Sequence, residues 1–538
     1  MVGIVPAFLE MARTFPEKCA VECDGRELTY AELARRVRAT ARELGPGPGP
    51  VGVLTDRSEA TVVALLGILA AGGVYVPVDP AFPAARRRAL LEAAGCTYVL
   101  GPSGLRPASE TAPADAPDTA PGPAPEGARR AAPAPETGDP GEGDPEAQDL
   151  AAEDPESPAY TLFTSGSTGR PKPVLTPRRA IAASVASLRD LFALTPADRV
   201  LQFASLNWDT CLEEILPTLT TGAKLVFHRE AYTGSIPRLL RAVAASGVTL
   251  LDLPTAFWHE LVRHLAESDE RLPDCVRTVV IGGEAVSPAR LAEWRARDTG
   301  RIRLVNTYGC TETTLITHAV DLHGPEAPGP GVWWGEHGGV PVGRALPHVV
   351  DAVAPDGELL VGGPAVALGY RDLPEVTAER FVTRQGAEGP VRWFRTGDRV
   401  ARRPDGHLVH EGRLDAEIKV RGIRVDPGEI EAHLTAHPEV GVAVVVGTRV
   451  EDRTTVTAYV VPRRAGADDA ALARQVLRDL RASVPGHLVP HRVTVVPGLV
   501  HTAGGKIDRL GTHRRHSPAA APSAPAEHPG GLTEQDNR

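Results

Sequence analysis

The chain has 538 residues, 42% hydrophobic and 23% charged, with a formal net charge of −10 at pH 7. That balance fits several globular units, and its sign argues against a dedicated nucleic-acid or anionic-membrane binder. No run of 18 apolar residues occurs, and the N-terminus "MVGIVPAFLEMARTFPEK" mixes Glu and Arg into its apolar residues, so neither a membrane span nor a signal peptide is expected. The six cysteines are scattered, which predicts reduced thiols and a cytoplasmic protein.

From about residue 26 to 100, helical runs such as "AELARRVRATARELG" alternate with strand-like runs such as "VGVLT", a pattern of α/β architecture with a parallel sheet. Residues 101–157 interrupt it with Pro, Ala and acid, and read as a disordered insertion. Alternation resumes from 159 to about 305, and short β-like runs separated by Gly, Pro and Asp turns fill 340–410. A smaller unit follows over 413–512, reading strand, helix, strand, strand, helix. The tail 513–538 reads as disordered.

Lysine occurs only at 18, 172, 224, 419 and 506; the other 53 of 58 basic residues are arginine. Where Arg is the default cation, each Lys marks a place that wants a compact point charge rather than a planar fork. One lies in "YTLFTSGSTGRPKP" (160–173), a Gly/Ser-rich turn after a strand. There Gly166 and Gly169 let backbone N–H groups approach an anion, and Thr164, Ser165, Ser167 and Thr168 add hydroxyls. It lacks the Gly-Lys pair of the G-x-x-x-x-G-K-[ST] phosphate loop.

"FTSGSTGRPK" resembles the signature of the adenylate-forming enzymes, which include acyl-CoA ligases and the adenylation domains of nonribosomal peptide synthetases. The likeness continues in order through "LTYAEL", "ILAAGGVYVPVDP", "NTYGCTE", "GELLVGG", "FRTGD", "GRLDAEIKVRGIRVDPGEIE", "VPGHLVP" and "GGKIDR". "VYVPVDP" and "GGKIDR" point to the peptide-synthetase branch. The resemblance implies a core over 1–412, made of two doubly wound α/β subdomains plus a small distorted β-barrel, and a mobile C-terminal α+β domain over 413–512.

The reaction it implies is ATP-dependent activation of a carboxylate as acyl-adenylate with release of pyrophosphate, then transfer to a thiol. Catalysis of that kind is mostly positioning and charge neutralisation. By resemblance, Thr164–Gly169 and Lys172 hold the β- and γ-phosphates, Thr311 contacts the α-phosphate, and Glu312 ligates Mg²⁺. Tyr308 stacks on adenine, Asn306 bonds its amino edge, and Gly283 belongs to the nucleotide site. Asp398 accepts from the ribose hydroxyls, and Arg413 contacts ribose and phosphate. Lys506 is the catalytic lysine, Asp415 the hinge, and Lys419 faces the site only in the thiolation state. Departures from the family pattern are Pro173 for Gly, Cys310 for Pro, His410 for an aromatic and Leu368 for Arg.

The substrate pocket, carried over in the same way, comprises Asp209, Thr210, Glu213, Asp252, Val280, Gly282, Thr307, Leu315, Ile316 and Lys506. Asp209 and Glu213 are four apart, on one face of a helix starting near 208. Asp252 follows the strand-like "VTLLDL", and Glu214 points off the shared face into a structural role. Three carboxylates against one partly committed lysine call for a substrate with two ammonium groups. The set resembles pockets for β-lysine in streptothricin- and viomycin-type pathways; lysine or ornithine is the next reading.

No Ser follows the glycines of "EHPGGLTEQDNR" and no HHxxxD motif occurs, so a free-standing enzyme serving the phosphopantetheine of a carrier protein in trans is expected. Some relatives also need a small MbtH-like partner. Rival readings are an acyl- or aryl-CoA ligase and a catalytically inactive binding protein.

Overall fold

In the computed structural model the described residues are 2–101, 104–110, 154–166, 171–297, 299–327, 339–386, 389–415, 417–420, 422–450, 453–464, 468–501 and 507–517. The apolar runs of the first 320 residues form two large sheets. One has seven strands in the order Gly369–Tyr370, Lys172–Pro177, Pro158–Thr164, Val74–Val78, Pro50–Leu54, Tyr98–Gly101 and Gly104–Pro107. The other has nine, and its centre is the parallel set Arg303–Gly309, Thr278–Gly282, Leu250–Pro254 and Arg199–Leu201. Such parallel strands need both faces covered. One shared core joins Val51, Tyr75 and Tyr160 of the first sheet to Val21, Val200 and Val280 of the second. A separate core behind the second sheet is built round Trp258 and Trp294.

Two helices in the shared core matter for the site. Glu59–Ala70 is apolar nearly all round, as a fully buried helix must be. Thr210–Thr221 is buried at every position from Cys211 to Thr221, although it carries Glu213 and Glu214. Its solvent-free setting, more than its sequence, makes those two carboxylates costly.

The β-like runs of 340–410 form a five-stranded antiparallel sheet in which the long strand Gly389–Arg402 pairs with Glu358–Gly362, Phe381–Gly386 and Leu408–Arg413. The C-terminal domain has its own core of Val425, Ile430, Val445 and Val476 among others. It begins with the hairpin Ile418–Val420/Ile423–Val425, continues through helix Pro427–Thr435 and strands Val440–Val450 and Arg453–Pro462, and then helix Asp469–Ser483.

Several boundaries differ from expectation. Gly104–Pro107 pairs with Tyr98–Gly101, so the first residues assigned to the insertion are a sheet edge; residues 111–153 lie outside the described set. "EIKVRG" is only the first arm of a hairpin, because Gly422 turns the chain at φ +82°, a conformation that favours glycine. A parallel strand, Arg492–Val495, and a last helix, Arg509–His516, were not foreseen. The helix carries the C-terminal domain past 512, held there by Tyr459 Oη and His513 Nδ1 at 2.7 Å. Residues 518–538 are outside the described set.

Candidate active site

Strand ends build the site. The parallel strands Leu250–Pro254, Thr278–Gly282 and Arg303–Gly309 all finish at one edge of the nine-stranded sheet, where open α/β folds place their ligands. They deliver Asp252, Gly282 and Thr307 to a cavity of about 190 Å³. Helix Thr210–Thr221 adds Thr210 and Glu213, with Asp209 just before it, and Leu315 and Ile316 close one side. Gly282 is required there: a Cβ would lie 2.5 Å from Thr307 Oγ1. Thr314 and Leu315 take φ of +55° and +68°, which forces the chain to double back behind Glu312. Ser184 Oγ and Thr314 Oγ1 anchor that bend, donating to Thr314 O and Ala365 O at 2.9 and 2.7 Å.

Eight of the ten expected pocket residues therefore line one cavity. Val280 does not: it points to the cavity side of its strand but is fully buried in the core beneath, with no surface at the wall. Lys506 lies outside the described residues, as do Ser167, Thr168 and Gly169.

The neighbouring acids have opposite surroundings. Glu214 accepts from Phe203 N at 2.8 Å, Ala204 N at 3.0 Å and Gln202 Nε2 at 2.9 Å. It is a satisfied structural group. Glu213 and Asp252 are both buried on the same cavity wall, each within electrostatic reach of the other. Two ionised carboxylates are both acceptors and neither can satisfy the other. Burial first, and then mutual repulsion for Glu213, hold this pair well above the usual carboxylate range. Asp209 is pushed up to about 6 by burial, against a hydrogen bond from Thr311. Among the described residues none of the three forms an ion pair, Asp252 Oδ2 has no conventional donor, and no cluster fit to hold a metal ion is found.

The nucleotide side opens from the same cavity. Thr164, Gly283, Thr311, Glu312, Asp398 and Arg413 all line it. Glu312 is buried and its Oε1 accepts from Tyr370 Oη at 2.8 Å, while Oε2 has no hydrogen-bond partner. Burial alone would raise its pKa; Arg424 and Lys172 outweigh that and keep it low. An ionised carboxylate whose one oxygen has no hydrogen bond, only the Arg424 guanidinium at 3.6 Å, fits a hard divalent cation. Asp398 accepts from Tyr308 Oη at 2.6 Å and Arg413 Nη1 at 2.9 Å, and lies 3.0 Å from His410 Nε2. These contacts and Lys419 overcome burial and hold it far below the usual range. Thus His410, in place of an aromatic, contributes a polar contact instead of a ring face.

A second cavity adjoins the first, lined by Gly283, Tyr308, His410, Arg413 and Lys419. Asn306 reaches neither cavity: its Nδ2 donates to Pro341 O at 2.8 Å, and Oδ1 is buried without a partner. Asp415 pairs with Arg413, 2.6 Å to Nε, and with Arg380, 3.3 Å. It joins the last strand of the core to the C-terminal domain. Lys172 sits 5.4 Å from the Tyr370 ring centre. Pro173 occupies a strand register opposite Phe163, and its carbonyl accepts from Arg371 N at 2.9 Å, so the proline is accommodated within the strand.

Lys419 lines the cleft, 5.6 Å from the Tyr308 ring centre, and the hairpin tip follows it in. Gly422 N donates to Glu284 Oε1 at 2.6 Å. In this arrangement the hairpin faces the site. Arg424, Glu429, Arg86, Trp208 and His487 are contacts that sequence reading missed. Arg424 and Glu429 lay inside a quoted motif, but in a chain rich in Arg nothing singled them out.

The family model described as AMP-binding enzyme matches residues 8–371, and that of the AMP-binding enzyme C-terminal domain matches 429–506. An isonitrile lipopeptide synthase from Streptomyces coeruleorubidus is 41% identical over 497 residues, covering 91% of this chain and 32% of that protein. Phosphinothricin tripeptide synthetase PhsC from Streptomyces viridochromogenes is 36% identical over 519 residues, covering 93% and 44%. The chain thus spans less than half the length of these curated relatives. Among solved structures, NpsA-ThdA, an artificially fused adenylation–PCP di-domain from Klebsiella oxytoca, superposes with a TM-score of 0.74 at 25% identity, covering 91% of this chain and 93% of that one. The amide bond synthetase McbA from Marinactinospora thermotolerans gives 0.75 at 26% identity, covering 95% and 98%. The chain belongs to the AMP-binding enzymes.

Proposed function

We propose that this enzyme activates a diamino acid, β-lysine or failing that lysine or ornithine, as its adenylate and passes it to the phosphopantetheine thiol of a carrier protein. One observation carries the substrate class: Glu213 and Asp252 share a buried cavity wall with Asp209, and none of the three has a cation among the described residues. A single α-ammonium would leave two acids desolvated and unpaired, at a cost of several kcal/mol. A second ammonium meets the pair directly. Arg413, Arg424 and Lys419 also reach the cavity, but Glu417 holds both arginines, Asp398 also holds Arg413, and Lys419 stands over the Tyr308 ring beside Asp398. They leave the acids free for substrate.

In the proposed reaction Asp209, Glu213 and Asp252 orient the amino acid by its amines, so its carboxylate is directed toward Thr311 and Glu312. Glu312 would hold Mg²⁺, which when bound spreads the phosphate charge. Tyr308, Gly283 and Asp398 would hold the adenosine, while the buried Asn306 stays behind the cavity wall. Lys506 would neutralise charge between the carboxylate and the α-phosphate. In the second step Lys419 stands in the cleft instead. The carrier proposal draws on the fused adenylation–PCP neighbour and on an open cleft of about 640 Å³ between core and C-terminal domain, walled by Phe82, Trp208, Val484 and His487.

The test is ATP–pyrophosphate exchange over a panel containing β-lysine, lysine, ornithine and neutral amino acids of equal length, with and without an MbtH-like protein. Best exchange with a neutral amino acid overturns the substrate class. Thioester formation on free coenzyme A in preference to a carrier would favour the acyl-CoA ligase reading.

A further inference from the structure

An activated diamino acid carries its own nucleophile. Its adenylate is an acylating agent, and the amine at the far end of the same molecule can close on it. In that side reaction the neutral amine nitrogen attacks the acyl carbon and a C–N bond forms. The bond from that carbon to the phosphate oxygen breaks, AMP leaves, and the surplus proton on nitrogen passes to solvent. The product is a lactam, six-membered from ornithine and seven-membered from lysine or β-lysine. Attack within one molecule gains from proximity, so the adenylate is short-lived wherever that amine is neutral and mobile.

The acids of the pocket are ordered along its depth. Asp209 has helical backbone at the start of Thr210–Thr221, so Glu213 stands one turn, about 6 Å, further along the helix. Thr311 and Glu312, at the nucleotide end, both act on Asp209, the first by a hydrogen bond and the second by charge. Glu213 and Asp252 act instead on each other, with Asp209 and Glu214 the further acids felt by Glu213. Both are buried in the cavity wall, and Asp252 Oδ2 has no hydrogen-bond partner there.

We infer that Glu213 and Asp252 protect the acyl-adenylate from its own side chain, by holding the distal amine charged and at the end of the cavity remote from the acyl carbon. The inference rests on reading these two acids as the site of the second amine. Position is one part of the protection. Attack needs an approach to about 3–3.5 Å, and an amine held at Glu213 lies about a helical turn beyond Asp209 and the reacting end. Charge is the other part. An ammonium has no lone pair to attack with, and an opposite charge nearby shifts a pKa by about 1–3 units, which lowers the neutral fraction about 10–10³-fold. A neutral pocket of the same size would admit the side chain and leave its amine free to lose a proton and fold back. With the acid pair in place, the adenylate persists until the carrier thiol arrives.

The test uses synthetic ornithinyl-adenylate, whose ring closes most readily, with the full chain at concentrations that bind all of it and no carrier present. Lactam and free ornithine are followed in time by mass spectrometry, beside the same adenylate in buffer alone. Bound to the wild-type enzyme, the adenylate should give lactam at least about tenfold more slowly than in buffer. In Glu213→Gln and Asp252→Asn, lactam formed per AMP released should rise about tenfold or more. Asp209→Asn, which loosens the amine nearer the reacting end, should stay close to wild type. Lactam formed on the wild-type enzyme as fast as in buffer overturns the inference. So does an unchanged lactam yield in the two variants, which enclosure alone predicts, or an equal rise in Asp209→Asn. If ornithine, lysine and β-lysine all fail to support pyrophosphate exchange, the diamino-acid reading itself is overturned, and the inference with it.

Discussion

The pocket acids should show opposite effects on function and on stability when neutralised. Consider Asp252→Asn and Glu213→Gln, each nearly isosteric. In either variant the second substrate ammonium faces one carboxylate instead of two, in a cavity where neither acid has a described ion-pair partner. Truncating one member of a buried charged contact costs about 3–5 kcal/mol. At about 1.4 kcal/mol per decade, that is a loss of roughly 10²–10³ or more in kcat/KM for the diamino acid. For a neutral amino acid of equal length the sign reverses, because an unpaired buried acid has been removed. Stability moves the other way from diamino-acid activity. The folded carboxyls are held above their unfolded values, so without substrate the folded state binds more protons than the unfolded chain as pH rises past about 4. Stability is fully present below that pH and is lost as pH rises through the folded values. For Asp209 alone, about 6 against the ordinary 3.8, the loss amounts to about 3 kcal/mol by pH 8. Asp252→Asn should therefore unfold at higher temperature than wild type at pH 8 and show little gain at pH 4. Pyrophosphate exchange over the amino-acid panel and thermal melts at the two pH values make the pair of assays. Equal losses on charged and neutral substrates, or a variant less stable than wild type at pH 8, would refute the reasoning.

Lys419→Ala should slow transfer to the carrier thiol tenfold or more and slow pyrophosphate exchange much less, since Lys419 enters the cleft with the hairpin; single-turnover transfer from preformed adenylate measures the split. Lys506→Ala should leave the melting profile intact and abolish pyrophosphate exchange. Glu214→Ala should behave as a structural lesion, because two backbone N–H groups and the Gln202 amide lose their acceptor. At about 1–3 kcal/mol per stranded buried group, a loss of at least about 3 kcal/mol is expected in denaturant titration, with the order of amino-acid preference unchanged.

The sheets were legible because their apolar runs have the lengths and turn residues of strands, as in "VTLLDL" and "VVIGG". The hairpin was not, because Ile418–Val420 and Ile423–Val425 are three residues each and Gly422 separates them without a Pro or Asn to announce the turn. Arg492–Val495 failed for a related reason: a four-residue strand pairs in parallel with a partner about 35 positions earlier, a choice set by the domain core. Val280 shows the limit of carrying a pocket over by position. Alternation places it on the same face as Gly282, but depth along the strand decides whether a side chain meets the cavity or the core below it.

Position along one helix does even less to separate Glu213 from Glu214. Both are buried, both are shifted upward by burial, and they are adjacent in sequence. What distinguishes them is the count of donors. Glu214 faces the segment just after strand Arg199–Leu201, where the Phe203 and Ala204 N–H groups have left the sheet and need acceptors. Glu213, one position earlier and so about 100° away round the helix, faces the end of another strand, where the nearest polar group is a second carboxyl. A buried acid that completes a backbone turn is part of the scaffold. A buried acid whose partner is another acid is satisfied only by a proton or by a cation brought from outside, and a cavity open to the nucleotide site is where a substrate amine can be that cation.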